Sequence, residues 1–197
     1  MTEQIILASA SPRRQELLQQ IGVSYQVQAI DIDESPNYLE NPQDYVHRMA
    51  AEKSLACAAK LPKENFILAG DTSVVIENQI LGKPLDLQDA EAMLSQLSGK
   101  THQVMTAISL RHSGKNEEHK HSQILSITEV CFRKITIEEI RAYWQTGEPQ
   151  GKAGAYAIQG LASIFVASIK GSYSGVMGLP LFETAKLLSK QGIKIIT

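Results

Sequence analysis

Short apolar runs alternate along this chain with stretches in which apolar residues return every third or fourth position. Ile5-Ile6-Leu7-Ala8 is such a run and predicts a buried strand. Pro12 follows, suited to a first helical turn because its missing N–H would be unpaired there. Leu17, Leu18 and Ile21 then make one apolar face, and Gly22 closes the helix. Residues 25–29 predict a second strand, and the polar stretch 30–41 a turn-rich loop carrying Asp31, Asp33 and Glu34. Pro42 opens a long helix that runs to about Lys60 and is stopped by Pro62.

The pattern then changes to strands with tighter connections. Residues 66–70 form an apolar strand that ends at Asp71-Thr72. Val74-Val75-Ile76 and Gln79-Ile80-Leu81 flank Glu77-Asn78 as a hairpin. Asp86 caps a helix with Ala90, Met93, Leu94 and Leu97 inward, ending at Ser98-Gly99. Residues 102–110 and 123–133 are two long strands joined by a charged loop, 111–121, which reads as a solvated turn. Thr136-Ile-Glu-Glu139 is a capping box that opens a helix with Ile137, Ile140 and Trp144 on one face, closed by Gly147. A glycine-rich segment, 151–160, precedes a strand at 164–167; Pro180 starts a last helix, and 193–196 predicts a closing strand. Helices alternating with strands early and hairpins later point to an α/β protein with a mixed sheet and flanking helices. No repeat or break in composition divides it, so residues 1–197 are expected to form one domain.

Composition narrows the classes. With 43% apolar and 20% charged residues, the chain is neither disordered nor fibrous. Its 19 basic and 21 acidic residues give a net charge of −2, which leaves no basic excess for nucleic-acid binding. No apolar run approaches the roughly 20 residues that span a bilayer. Met1-Thr-Glu-Gln leads straight into the first strand, so no secretory signal is expected and a cytoplasmic protein is. Cys57 and Cys131 lie too far apart for a metal knuckle and sit in apolar stretches, as core residues do. The five histidines make no HExxH pattern, and a GxSxG elbow is absent, which counts against a zinc protease and a serine hydrolase.

The remaining polar segments converge on phosphate chemistry. Ser9-Ala-Ser-Pro-Arg13-Arg14 joins a strand to a helix, where unpaired backbone N–H groups and the positive dipole end favour an anion. Serine hydroxyls and Arg13 would add donors; equally, Ser11 could simply cap the helix with both arginines solvated. Neither Walker A nor GxGxxG spacing is present. Asp71, at a strand end, is placed to hold a divalent cation or orient water, or else to form a turn. Glu34 could add a second oxygen ligand or be an ordinary loop acid. Lys53, mid-helix, and Lys83, in Gly82-Lys83-Pro84, can act as point charges on phosphate or lie on the surface. In the glycine-rich segment, Lys152 offers another cation and Gln159 a carboxamide able to read a base edge. The intervening glycines would allow close backbone approach to a ligand, or merely tight turns.

Six segments occur in a fixed order: Leu7-Ala-Ser-Ala-Ser-Pro-Arg-Arg14, Ala69-Gly-Asp-Thr72, Gly82-Lys-Pro84, Ser98-Gly-Lys-Thr-His-Gln-Val104, Lys152-Ala-Gly-Ala-Tyr-Ala-Ile-Gln-Gly160 and Gly178-Leu-Pro180. Together they resemble the Maf family of nucleoside triphosphate pyrophosphatases, from Leu7 to about Leu188. The resemblance implies a fold of two lobes around a deep nucleotide-binding cleft, like that of inosine triphosphatases. It implies cleavage of a nucleoside triphosphate to the monophosphate and pyrophosphate with Mg²⁺ or Mn²⁺. Asp71 falls on the family's general base, and Glu34, Lys53 and Lys83 on its other catalytic positions; whether Asp71 takes the water's proton or, with Glu34, holds the metal is left open by the sequence. Arg13, Thr72 and Gln159 fall on positions tied to substrate choice, with Ser9 and Lys152 beside the substrate. Asp71-Thr72 and Ile158-Gln159-Gly160 resemble the dTTP/UTP-cleaving branch; the sister branch, acting on 7-methyl-GTP, shows Asp-Gln and a Ser-Glu-Gly-like segment. Housecleaning of nucleotide pools, a link to septum formation and a homodimer are implied by the same resemblance. A nucleotide-binding regulator of division without turnover is the alternative from another class; nucleic acid and membrane are not expected partners.

Overall fold

The computed structural model describes residues 5–61, 65–114, 121–193 and 195. Seven strands form one mixed sheet: β1 (Ile5–Leu7), β2 (Tyr25–Val27), β3 (Phe66–Ile76), β4 (Gln79–Leu81), β5 (Thr101–His112), β6 (His121–Phe132) and β7 (Val166–Lys170). The helices are α1 (Pro12–Gln20), α2 (Pro42–Lys60), α3 (Leu87–Leu97), α4 (Ile137–Gln145), α5 (Tyr173–Met177) and α6 (Leu181–Lys190). The strands run in the order β2-β1-β3-β5-β6-β7, with β4 paired to β3; β2, β1 and β3 are parallel and the other pairs antiparallel.

Side chains of β3 alternate between two buried faces, as a strand in the middle of a covered sheet requires. Ile67, Ala69 and Val75 face α2, which brings Val46, Met49, Ala50 and Cys57 against them. On the opposite face, Leu68 packs with Leu17 and Leu18 of α1 and Leu187 and Leu188 of α6, while Val74 packs with Leu94 and Leu97 of α3 and Ile140 of α4. That second face therefore carries two separate apolar clusters, one at each end of β3, and these make the two lobes.

The site lies where the sheet is incomplete. Strand β5 pairs with β3 along nearly its whole length, from Phe66 to Val75. On the other edge, β1 pairs only at Ile67 and Leu68, and β4 only at Val74, Val75 and Ile76. Between them, residues 69–73 have no strand on that side among the described residues. Both β1, which is parallel to β3, and β4, which is antiparallel, run toward this gap. The segments that follow them, Ser9–Arg14 and Gly82-Lys83-Pro84, are delivered to it from opposite ends.

Several expectations are corrected. Asp71 is not at a strand end: it is the middle residue of β3, which runs for 11 residues from Phe66 to Ile76 because its polar positions find partners on both faces. Residues 161–165 form a 3₁₀ turn, so the strand expected at 164–167 begins at Val166. The second strand stops at Val27, short of residue 29. In α4 the buried positions are Ile140 and Tyr143, with Ile137 exposed and Trp144 only partly covered. Helix α5 is too short to show an apolar period. The proposed helix stop Pro62, most of the 111–121 loop with His119, the N-terminal Met1-Thr-Glu-Gln, and positions 194 and 196 of the expected last strand lie outside the described residues. None of the described helices is long and apolar enough to cross a membrane.

Candidate active site

Adjacent residues of β3 open onto the two faces of the gap. Asp71 turns toward α2, where the Lys53 ammonium donates to its Oδ1 at 2.7 Å. Lys53 reaches it because it shares a helical face with Met49, Ala50 and Cys57, at spacings of three and four residues. The lysine is itself buried and also touches Glu34 Oε1 at 2.6 Å. Glu34 Oε2 lies 3.3 Å from the exposed ammonium of Lys83. A chain of alternating charge thus runs Asp71–Lys53–Glu34–Lys83 from the sheet to the rim. Partial burial raises the Glu34 carboxyl pKa, but the hydrogen bonds and charges of Lys53 and Lys83 outweigh it, so the group sits below its ordinary value.

Glu34 is on a loop, and α2 holds that loop from below. Tyr45 donates to the Glu34 carbonyl at 2.8 Å, and Arg48 donates to the Ser35 carbonyl at 3.0 Å. Arg48 also grips Glu40 with two short bonds of 2.7 and 2.6 Å, the planar two-point geometry that favours arginine over lysine.

On the opposite face Thr72 meets the α1 segment. Arg14 donates to Thr72 Oγ1 at 3.3 Å, to Ser9 Oγ at 3.0 Å and to the Gly178 carbonyl at 2.7 Å. Thr72 Oγ1 also lies 2.9 Å from Thr106 Oγ1, which donates to the Gly175 carbonyl. Burial lowers the Arg14 pKa, and the charges of Asp71 and Glu34 oppose that drop. Ser11 occupies the N-cap position without capping through its side chain; its own N–H donates to Ser9 Oγ at 3.2 Å.

Arg13 points elsewhere. With the Gln159 amide oriented oxygen-first, Arg13 Nε donates to it at 2.7 Å, and the η nitrogens donate to the same oxygen. Gly154, five residues before Gln159, donates its N–H to the Gly82 carbonyl at 2.9 Å, so the glycine-rich segment lies against the Lys83 turn.

The structure thus gathers Asp71, Glu34, Lys53 and Lys83 into one cluster, Ser9 and Thr72 into a second, and Arg13 with Gln159 into a third. Lys152 joins none of them: its ammonium donates to the Gln150 carbonyl at 3.2 Å. Arg14, Tyr45 and Arg48 were not singled out from the sequence. Arg14 had a signal, since it lies three, four and seven residues before Leu17, Leu18 and Ile21 and therefore on the buried face of α1. A groove of about 660 Å³ between the start of α2 and strands β3 and β5 is a separate feature, and no member of these clusters lines it.

Two carboxylates sharing one ammonium fit the habits of Mg²⁺, which takes one or two carboxylates and completes its shell with water and substrate phosphates. Among the described residues, no group of three or more His, Cys, Asp or Glu side chains could hold a metal by itself. An ion here would depend on the phosphates for the rest of its ligands.

The chain matches the model of the Maf-like protein family over residues 4–191. It is 49% identical over 189 residues to a dTTP/UTP pyrophosphatase of Methylococcus capsulatus, covering 96% of this chain and 91% of the relative. A dTTP/UTP pyrophosphatase of Saccharophagus degradans is 50% identical over 187 residues, with coverages of 93% and 87%. Among solved structures, a HAM1 protein from Coxiella burnetii superposes with a TM-score of 0.52 over 95% of this chain and 99% of that one. At 17% identity that likeness is one of fold. Carrying the family's pattern over nearly its whole length, the chain belongs to the Maf-like proteins.

Proposed function

We propose that this protein hydrolyses pyrimidine nucleoside triphosphates, dTTP and UTP, to the monophosphate and pyrophosphate, with Mg²⁺ or Mn²⁺ held by Glu34 and Asp71. The observation that carries the reading is the Asp71–Lys53–Glu34–Lys83 chain lying along a break in the sheet. The relatives' names support the substrate class.

Cleaving a phosphoanhydride asks little covalent help of a protein; it needs charge neutralisation, alignment and a placed water. Lys83, the most exposed of the four charges, meets the triphosphate first. Lys53 holds both carboxylates in place before substrate arrives, which spares their reorganisation during the reaction. When bound, the metal would neutralise phosphate charge and stabilise the departing pyrophosphate. Asp71 takes the proton of the attacking water, or serves only to hold, with Glu34, the metal that would acidify that water. Arg14, locked to Thr72, Ser9 and Gly178, fixes the backbone on the far face of the gap. Gln159, turned by Arg13, presents its amide N–H groups outward to a pyrimidine carbonyl. Cleaning of the nucleotide pool, a link to septum formation and a homodimer rest on the family resemblance.

Asp71→Asn tests the assignment, because it keeps the shape and removes the base. Turnover should fall by about 10² to 10⁴-fold while nucleotide binding survives. Near-normal turnover would remove Asp71 from the reaction, and a wild-type protein that binds nucleotide without cleaving it would point to a regulator instead.

A further inference from the structure

The segment that carries Gln159 has no regular secondary structure to fix it; it passes from a buried stretch at Ala155–Ile158 into the 3₁₀ turn at Leu161–Phe165. Such a segment needs its backbone N–H groups satisfied by something else. The donors are answered from α4 and the turn that follows it. Ala157 N donates to Tyr143 Oη at 3.2 Å, and Tyr143 Oη donates to Glu148 Oε1 at 2.7 Å. Leu161 N donates to Glu148 Oε2 at 3.0 Å, and Ala162 N to Oε1 at 3.3 Å. One carboxylate and one phenol therefore pin the chain two residues before Gln159 and two and three residues after it. The carboxylate also sits directly under Gly160, where any Cβ would overlap it. Its charge acts on Arg13, the partner of the Gln159 amide. Tyr143 is 4% exposed, its ring set edge-on against Phe165 at 5.4 Å, so the phenol has one position from which to act.

We infer that Glu148 and Tyr143 are positioning residues for base selection: together they set the place and angle of Gln159, and through it the preference for uracil and thymine over other bases. This rests on the proposal that Gln159 reads the base. Neither side chain belongs to the Asp71 cluster, so their contribution falls on which nucleotide is accepted and how tightly, more than on the chemical step. A carboxylate accepts from all three donors at once. In Glu148→Gln, one oxygen becomes an NH₂ group that must face an N–H or O–H donor, and a pin is lost.

The test compares kcat and KM for dTTP, UTP, CTP and GTP in wild type, Gln159→Ala, Glu148→Gln and Tyr143→Phe. Each variant's melting temperature shows that it is folded. Gln159→Ala sets the scale for full loss of base reading. The expected result is that Glu148→Gln and Tyr143→Phe lower the dTTP-to-CTP ratio of kcat/KM by about tenfold or more toward the Gln159→Ala value. Their loss on dTTP should appear mainly in KM. If Gln159→Ala loses the preference while both braces keep it, the brace is wrong and the role of Gln159 stands. If Gln159→Ala keeps the preference, Gln159 does not read the base and the inference falls with it. Tyr143→Phe retains the ring packing, so it decides the matter if Glu148→Gln fails to fold.

Discussion

Acidification from pH 7 to pH 5 should destabilise this protein through one buried histidine. His102 of β5 is 2% exposed, set edge-on against Phe132 and Tyr156 with ring centroids at 4.8 and 5.5 Å. Its Nε2 lies 2.8 Å from the Tyr156 hydroxyl, and its Nδ1 has no hydrogen-bond partner. Burial drives its pKa from the ordinary 6.5 down to about 4. The folded state therefore keeps the ring neutral while the unfolded chain binds a proton below pH 6.5, and stability falls as the pH drops through that window toward 4. At about 1.4 kcal/mol per pH unit, the loss between pH 7 and pH 5 comes to about 2 kcal/mol. The carboxylates held below their ordinary values, Glu34 and Glu148 among them, add their losses at lower pH. His121 is also held below its ordinary value, by burial and then by the charge of Arg111, so it too destabilises the fold on acidification and makes a variant comparison necessary. Urea unfolding of wild type and His102→Phe at pH 7, 6 and 5 isolates the term: the variant, whatever its baseline, should lose about 2 kcal/mol less over that range. Equal losses in the two proteins would refute the reasoning. Because Tyr156 belongs to the glycine-rich segment, the same protonation should loosen the region that leads to Gln159.

Two further substitutions probe the geometry. Gly154 has φ +65°, and a Cβ there would stand 2.8–2.9 Å from the Val74 side chain; Gly154→Ala should cost about 2–4 kcal/mol, from strain plus overpacking, read as a lower melting temperature. An unchanged melting temperature would place the segment differently. Arg48→Ala should cost about 1–3 kcal/mol, because the Glu40 carboxylate, only 8% exposed, loses both of its bonds from the guanidinium, and it should also lower turnover and speed proteolysis in the loop at 33–40. Normal turnover would mean that Glu34 needs no support from α2.

Much of the fold was legible because its signals are local. The capping box at Thr136 and Glu139 and the Asp86 cap form as expected, and Asn41, not singled out from the sequence, caps α2 by accepting from the Asp44 N–H. Legibility fails where a residue's partner is remote in sequence. Gly70-Asp71-Thr72-Ser73 looks like the polar end of a strand, yet β3 runs through it because Lys53 meets one face and Arg14 and Thr106 the other. Arg14 bonds a carbonyl 164 residues away, which no window of sequence displays. Glu34 and Asp71 could be named as a possible pair of metal ligands, but only the fold reveals that Lys53 stands between them. Glu148 gave no sign at all; its role follows from the turn that brings the chain back over it.

Pyrophosphate release from dTTP, UTP, CTP, GTP, ATP and 7-methyl-GTP, with Mg²⁺ or Mn²⁺ and again with chelator, tests the central claim most directly. Metal-dependent turnover led by dTTP and UTP is the predicted result. Preference for 7-methyl-GTP would keep the reaction and overturn the reading of Thr72 and Gln159, and folded protein that binds nucleotides but releases no pyrophosphate from any of them would contradict the account.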